Sequence, residues 1–221
     1  METLVFRYIF GYIENMRTIP REVGNLLEFK ARANLRLTLS ARQREILIGC
    51  LLGDAYIHPR GQIQIAQSIK QQSYLNWKYQ ELSSLAYGPP STVSRFDTRY
   101  GKTYVGLRFW LRQYFKPLRK IFYPQGKKTY SHNLNKFVTG LTLTVWYMDD
   151  GNLYKSRHVK ISTDGFSHQD CLSLQNMLAK KFKIETSIQA SGKLRIACKS
   201  LPTFFNTITP FIHPSMIYKI P

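Results

Sequence analysis

Two apolar segments of this chain each run into an acidic residue: Leu47-Ile48-Gly49-Cys50-Leu51-Leu52-Gly53-Asp54 and Leu143-Thr144-Val145-Trp146-Tyr147-Met148-Asp149-Asp150-Gly151. The sequence after each one also repeats. Gly101-Lys102 recurs as Gly192-Lys193, 91 positions later, and Lys128, which follows Tyr123-Pro124, recurs at the same interval as Lys219, which follows His213-Pro214. A period near 90 residues exceeds that of solenoid repeats, so the chain reads as two fused copies of one small domain. Each copy carries one carboxylate to the end of an apolar helix. Two such carboxylates meeting near a pseudo-two-fold axis would form a metal site suited to something roughly symmetric.

Charge says what kind of partner to expect. The 221 residues hold 32 Lys and Arg against 13 Asp and Glu, a net charge of +19. That excess repels itself and calls for a polyanion. The basic residues are spread among aromatics and strand-like segments and form no tail, which points to a folded nucleic-acid surface. Cys50, Cys171 and Cys198 are odd in number and show no paired spacing, so no disulfide framework is implied. The single histidines at 58, 132, 158, 168 and 213 do not have zinc-ligand spacing. No apolar run reaches the ~18 residues that span a bilayer, so no membrane partner is expected. Residues 1–37 stand outside the repeat as an extension of unknown role. Glu2 and the lack of a basic leader argue against a secretory signal there. The two copies are assigned to 38–135 and 136–221.

Ser40-Ala41-Arg42-Gln43 is a capping-box pattern that opens the first apolar helix, which is expected to end at Asp54. Gly49 and Gly53, four apart on one face, cost ~1 kcal/mol each against alanine and so imply a close helix-to-helix approach. Residues 61–70 alternate with period two as a half-buried strand, and 74–85 form an amphipathic helix stopped by Gly88-Pro89-Pro90. Residues 93–100 and 102–110 make a hairpin turning at Gly101, and 111–122 a basic, aromatic helix. The second half repeats the order, with helices at 141–149, 168–182 and 201–212 and strands at 157–163, 184–189 and 193–199. The fold class is α+β, read as two pseudo-symmetric αββαββα repeats with antiparallel sheets.

Each sheet should turn one apolar face to its helices and one basic, Gln-rich face outward as a saddle for nucleic acid. In the first copy Gln62, Gln64, Lys102, Tyr104 and Arg108 share that outer face. In the second it holds His158, Lys160, Ser162, Lys193, Arg195 and Lys199, with Gln189 on the neighbouring strand. Aligning the hairpins on the repeat interval sets Tyr104 on Arg195 and Arg108 on Lys199. Gln and Arg can pair with base edges, while Lys mostly meets phosphates. Asp54 and Asp150 each face the negative end of a helix dipole, an unfavourable placement that divalent cations would relieve. Metals bridged by two carboxylates can activate water against a phosphodiester, and Lys128 and Lys219 could offset charge in the transition state.

These residues resemble the LAGLIDADG homing endonucleases in their monomeric, two-motif form. Leu52-Gly53-Asp54-Ala55-Tyr56-Ile57, Trp146-Tyr147-Met148-Asp149-Asp150-Gly151 and Met216-Ile217-Tyr218-Lys219-Ile220-Pro221 are similar to the branch that contains the yeast mitochondrial omega-intron enzyme. The resemblance covers about residues 40–221. It implies that Asp54 and Asp150 are metal-binding catalytic carboxylates helped by the carbonyls of Gly53 and Asp149, that Lys128 and Lys219 are active-site lysines, and that Gln67 orients water. It further implies Mg²⁺ (with Mn²⁺ as a substitute), cleavage of both strands of a long, partly symmetric double-stranded DNA site across the minor groove with 3′ overhangs, and a gene in a mitochondrial or chloroplast intron. Divergence of the two halves makes the expected target asymmetric. Thr144, Val145 and Met148 depart from the small residues common in the motif, so packing there must be looser or lean on Gly49 and Gly53. An RNA maturase acting on intron RNA with the same basic face is the alternative, and a DNA-binding regulator a third reading.

Overall fold

The capping box at Ser40 is formed: the Gln43 N–H donates to Ser40 Oγ at 3.1 Å and the Ser40 N–H to Gln43 Oε1 at 3.2 Å. It opens helix α1, Ala41–Leu52, whose residues Ile46 to Leu52 are all buried. A helix segment apolar on every side has to be surrounded by protein. This computed structural model describes residues 17–18, 37–112, 115–155 and 157–221. Most of the 1–37 extension lies outside the described residues; Arg17–Thr18 (β1) pairs antiparallel with Leu37–Thr38 (β2).

After α1 come β3 (Tyr56–Ile57), β4 (Ile63–Ser68), α2 (Gln72–Leu82), β5 (Ser91–Asp97), β6 (Lys102–Leu111) and α3 (Lys116–Phe122). The same order then recurs as α4 (Gly140–Asp150), β7 (Gly151–Tyr154), β8 (His158–Ile161), α5 (His168–Phe182), β9 (Thr186–Ile188), β10 (Leu194–Ile196) and α6 (Leu201–Ile208). Both halves are αββαββα, and each builds an antiparallel four-stranded sheet, in the orders β3-β4-β6-β5 and β7-β8-β10-β9.

Three local readings change. The strands β3 and β7 are too short, at 2 and 4 residues, for alternation to reveal them. Leu111 does not open a helix. It continues the apolar face of β6 opposite Ile63, and α3 starts only at Lys116. The last helix ends at Ile208 and tightens into a 3₁₀ turn over Thr209–Phe211. Pro210, inside that turn, lacks the N–H an α-helix would need.

Two compact units emerge, and they cut across the repeats. One holds the described residues up to Arg44 with Ala55–Arg119, and the other holds Glu45–Asp54 with Lys120–Pro221. In the first, α2 covers the apolar sheet face, with Tyr74, Leu75 and Leu82 buried and the Tyr79 ring edge-on to Phe109 at 5.6 Å. In the second, α5 buries Cys171, Leu174, Met177 and Leu178 as a helical stripe, and Val159, Ile161, Leu194 and Ile196 are buried on the strands. Most of α1 belongs to this second unit, which therefore contains both acidic-ended helices.

Candidate active site and nucleic-acid-binding faces

Close contact between α1 and α4 sets the site, and glycine makes it possible. A Cβ on Gly49 would lie 2.6 Å from Val145 Cβ and 2.8 Å from the Thr142 carbonyl, and one on Gly53 would lie 2.6 Å from Asp149 Cβ. The bulkier second motif thus packs closely because the first supplies the space. Thr144 and Met148 turn elsewhere: Thr144 Oγ1 donates to the Gly140 and Ile208 carbonyls, and Met148 Sδ accepts from the His213 N–H. At the other end Thr139 caps α4 by accepting from the Thr142 N–H, and its hydroxyl donates to Glu45 Oε2 at 2.9 Å.

Helix α4 ends on Asp150, whereas α1 stops at Leu52, two residues short of the expected end, with Asp54 just beyond it; each end is met by a lysine. Lys128 Nζ donates to the Leu52 and Gly53 carbonyls at 2.9 and 2.6 Å. Lys219 Nζ donates to the Met148 carbonyl at 2.5 Å and lies 3.5 Å from that of Asp149. In both copies the ammonium therefore holds the carbonyls one and two residues before the aspartate. This satisfies orphan helix carbonyls and sets positive charge at the negative pole of the dipole. Lys219 is only 8% exposed, and the Tyr147 hydroxyl donates to its carbonyl at 2.6 Å.

The carboxylates differ. Asp54 is exposed and Asp150 half-buried. Burial first, then the charges of Asp54 and Asp149, push Asp150 up to about 7, against the pull of Lys128 and Lys219. Burial lowers the Lys128 pKa, opposed by Asp150, Asp54 and Asp149. A small pocket of about 140 Å³ opens here, lined by Gly53, Lys128, Asp150, Ser162, Thr163, Asp164, Gly165 and Phe166.

Negative charge crowded until one acid resists ionising is a setting in which a cation is favoured. Among the described residues no group of three or more His, Cys, Asp or Glu side chains is arranged to hold a metal ion. The oxygens at hand are the carboxylates of Asp54 and Asp150 and the carbonyls of Gly53 and Asp149. Mg²⁺ binds through one or two carboxylates, keeps waters and takes substrate phosphate oxygens, so this hard, incomplete set fits it. The lysines engage the same carbonyls without excluding an ion, because a carbonyl oxygen has two lone pairs.

The second sheet gathers most of its expected binding residues. Asn152, Lys160, Arg195 and Ser187 are cross-strand neighbours, as are Tyr154 and His158. Their side lines a groove of about 590 Å³ with Ser162, Gln189, Ser191 and Lys193. Arg195 Nη2 and His158 Nδ1 stand 3.1 Å apart, in hydrogen-bond contact. Lys199 does not join them. β10 ends at Ile196, so Lys199 falls in the 3₁₀ turn Cys198–Ser200 and pairs with Glu185 at 2.8 Å.

On the first sheet, cross-strand pairing sets Tyr56, Gln64 and Trp110 in one row and Ala66, Arg108 and Ser91 in the next. Tyr104 lies opposite Arg95, and Lys102 opposite Asp97. Gln62 shares the parity of Gln64 on this side. Gln67 does not: it alternates with Ile63 and Ile65 on the covered face and is 9% exposed. Register also corrects the alignment of the hairpins. Asn152–Lys160–Arg195 matches Tyr56–Gln64–Trp110, so Trp110, and not Tyr104, stands where Arg195 does. The shared Gly-Lys pair marks the turns, where Gly101 and Gly192 both have positive φ. Strand β6 is 10 residues long and β10 only 3, so turn alignment and sheet alignment diverge.

Asn152, Tyr154, Tyr56 and Trp110 were unassigned from sequence, the first three because β3 and β7 carry too little alternation and Trp110 because its row depends on register. Ser191, Asp164 and Phe166 carried no such signal, because loops bring them to their sites.

Residues 44–204 match the LAGLIDADG DNA endonuclease family. The chain is 27% identical over 202 residues to the cytochrome b mRNA maturase bI2 of Debaryomyces hansenii, covering 85% of this chain and 76% of that one. It spans 46% of the Saccharomyces cerevisiae protein of the same name. It is 29% identical over 203 residues to the probable intron-encoded endonuclease 1 of Wickerhamomyces canadensis, covering 83% of this chain and 85% of that one. Its fold is similar to that of the homing endonuclease I-WcaI, solved bound to its DNA recognition sequence, with TM-score 0.77, 24% identity, and coverage of 91% and 97% of the two chains. With a family match running from the first motif helix to the last helix of the second repeat, the chain belongs to the LAGLIDADG DNA endonuclease family.

Proposed function

We propose that this protein is a site-specific homing endonuclease that cuts both strands of a long, asymmetric double-stranded DNA target in the presence of Mg²⁺, with Mn²⁺ as a substitute, leaving 3′ overhangs. The observation that carries the reading is the repeated helix end: an aspartate preceded by two carbonyls, with Lys128 or Lys219 donating to them. Family membership supports nuclease chemistry. The solved neighbour, itself bound to DNA, supports the choice of polymer.

In this reading Asp54 and Asp150, with the carbonyls of Gly53 and Asp149, hold the ion. When bound, Mg²⁺ would supply water activation and stabilisation of the leaving oxygen. Asp150 must be ionised to serve, and because its pKa is raised in the metal-free chain, binding the ion at neutral or lower pH releases a proton. Lys128 and Lys219, fixed by the helix carbonyls, would offset the negative charge that builds on the phosphate in the transition state. Gln62, Gln64, Lys102, Tyr104 and Arg108 on one sheet, and His158, Lys160, Ser162, Gln189, Lys193 and Arg195 on the other, contact the DNA. In this reading the protein acts as a monomer and its gene lies in an organellar intron; relatives named as intron-encoded endonucleases support the intron.

The test is exposure of a randomised double-stranded library to the chain in Mg²⁺, followed by sequencing of the new ends. One recurrent site with 3′ overhangs is expected, and absence of any recurrent site would reject the reading. The relative named as an mRNA maturase favours a second activity, assistance to intron RNA folding. Faster intron splicing by a chain that cuts no DNA would make that activity the principal one.

A further inference from the structure

The two lysines are held differently: Lys219 is buried at the end of α4, while Lys128 meets an aromatic ring. Lys128 Nζ lies 4.9 Å from the centre of the Phe166 ring, and its Cδ is the nearest atom, at 3.3 Å, to where a Cβ on Gly165 would stand. The loop carrying both residues is pinned at each end. Thr163, 2% exposed, donates to the Gly192 carbonyl, and the Phe166 N–H closes a turn on the Thr163 carbonyl at 2.9 Å. Ser167 then caps α5 in a complete capping box with Asp170.

Asp170 ties this loop to the lysine. Its Oδ2 accepts from the Ser167 N–H at 3.0 Å, while its Oδ1 accepts from the Tyr130 N–H at 2.8 Å, two residues after Lys128. One buried carboxylate thus fixes both the segment bearing the lysine and the loop bearing the ring. The first repeat differs at the equivalent place among the described residues: Gln71, the N-cap of α2, makes no side-chain cap bond, and Tyr74 takes the position that Asp170 holds in α5. Lys219 is instead buried against the end of α4.

We propose that Phe166, set by Asp170, is a positioning residue that holds Lys128 at its end of α1, so that cleavage of one DNA strand depends on this clamp and cleavage of the other does not. The proposal rests on the nuclease reading above. A cation facing an aromatic ring away from bulk water is held by the ring quadrupole. Leucine keeps much of the apolar bulk and removes that field.

The experiment uses supercoiled plasmid carrying the recovered site, under single-turnover conditions, with the two strands labelled differently. Phe166→Leu is expected to slow one strand by roughly two- to thirty-fold, the cation–π range converted to a rate. Nicked circles accumulate while the other strand is cut at the wild-type rate and DNA affinity is unchanged. Lys128→Met slows the same strand, and adding Phe166→Leu to it costs nothing further. Phe166→Tyr, which keeps the ring, restores most of the rate. Equal slowing of both strands, or an unchanged rate in Phe166→Leu, overturns the clamp while leaving the nuclease reading intact. A wild-type chain that cuts nothing overturns both.

Discussion

At the scale of single residues, Asp150 carries the most informative energetics. Its folded-state pKa is raised to about 7 from an ordinary 3.8 by burial and by the charges of Asp54 and Asp149. A carboxyl raised in this way binds its proton more tightly folded than unfolded. Its contribution is therefore intact below pH ~4, erodes as pH rises toward 7, and is fully lost above that. Asp150→Asn removes the titration. In metal-free buffer the variant should melt with the wild type near pH 4 and above it at pH 8, by on the order of 1–2 kcal/mol after solvent screening, read by calorimetry across pH. Equal melting at both values would show that Asp150 is not strained. Mg²⁺ should raise the wild-type melting temperature at pH 8 and leave Asp150→Asn unmoved, because a ligand that binds only the folded state stabilises it. The acidic positions were legible in the sequence from their place at the ends of apolar segments. The role of Asp170 was not, because its partner Tyr130 lies 40 residues away in the chain and is reached only through the tertiary fold.

At the scale of elements, the contact between α1 and α4 is where a small change should cost most. Gly49→Ala forces a methyl into Val145 and the Thr142 backbone, and overpacking of this kind costs about 1–3 kcal/mol. Chemical denaturation of Gly49→Ala should show that loss, and adding Val145→Ala to it should cost less than the sum of the two single losses. Additive losses would mean the two residues do not share the contact. Both glycines could be picked out in sequence from their spacing, and so could the turn glycines. What the sequence could not give was hairpin register. The Gly-Lys turns repeat, but the strands leading to them differ in length, so matching turns makes Tyr104 the equivalent of Arg195 where strand pairing makes it Trp110. The short strands β3 and β7 were hidden for a related reason: two to four residues carry too little alternation to read.

At the scale of the whole molecule, a net charge of +19 finds its use in two sheets that each turn a polar, basic side outward. Affinity for DNA should fall linearly in log–log terms with salt, and Lys160→Ala should flatten the slope by about one unit without changing the preferred site. Arg195→Ala should instead relax sequence preference by about 1–3 kcal/mol at one base pair. Repeat order and charge were enough to read the architecture; which side chains share a face depended on register. The central claim is that Asp54 and Asp150 form one metal-dependent centre. Its most direct measurement compares the wild type in Mg²⁺, the wild type in Ca²⁺ and the Asp54→Asn/Asp150→Asn double variant in Mg²⁺ on the recovered target, with binding followed in parallel. Double-strand cuts in the first condition alone, with binding kept in all three, are what the geometry predicts. Cutting that survives in the double variant would contradict it.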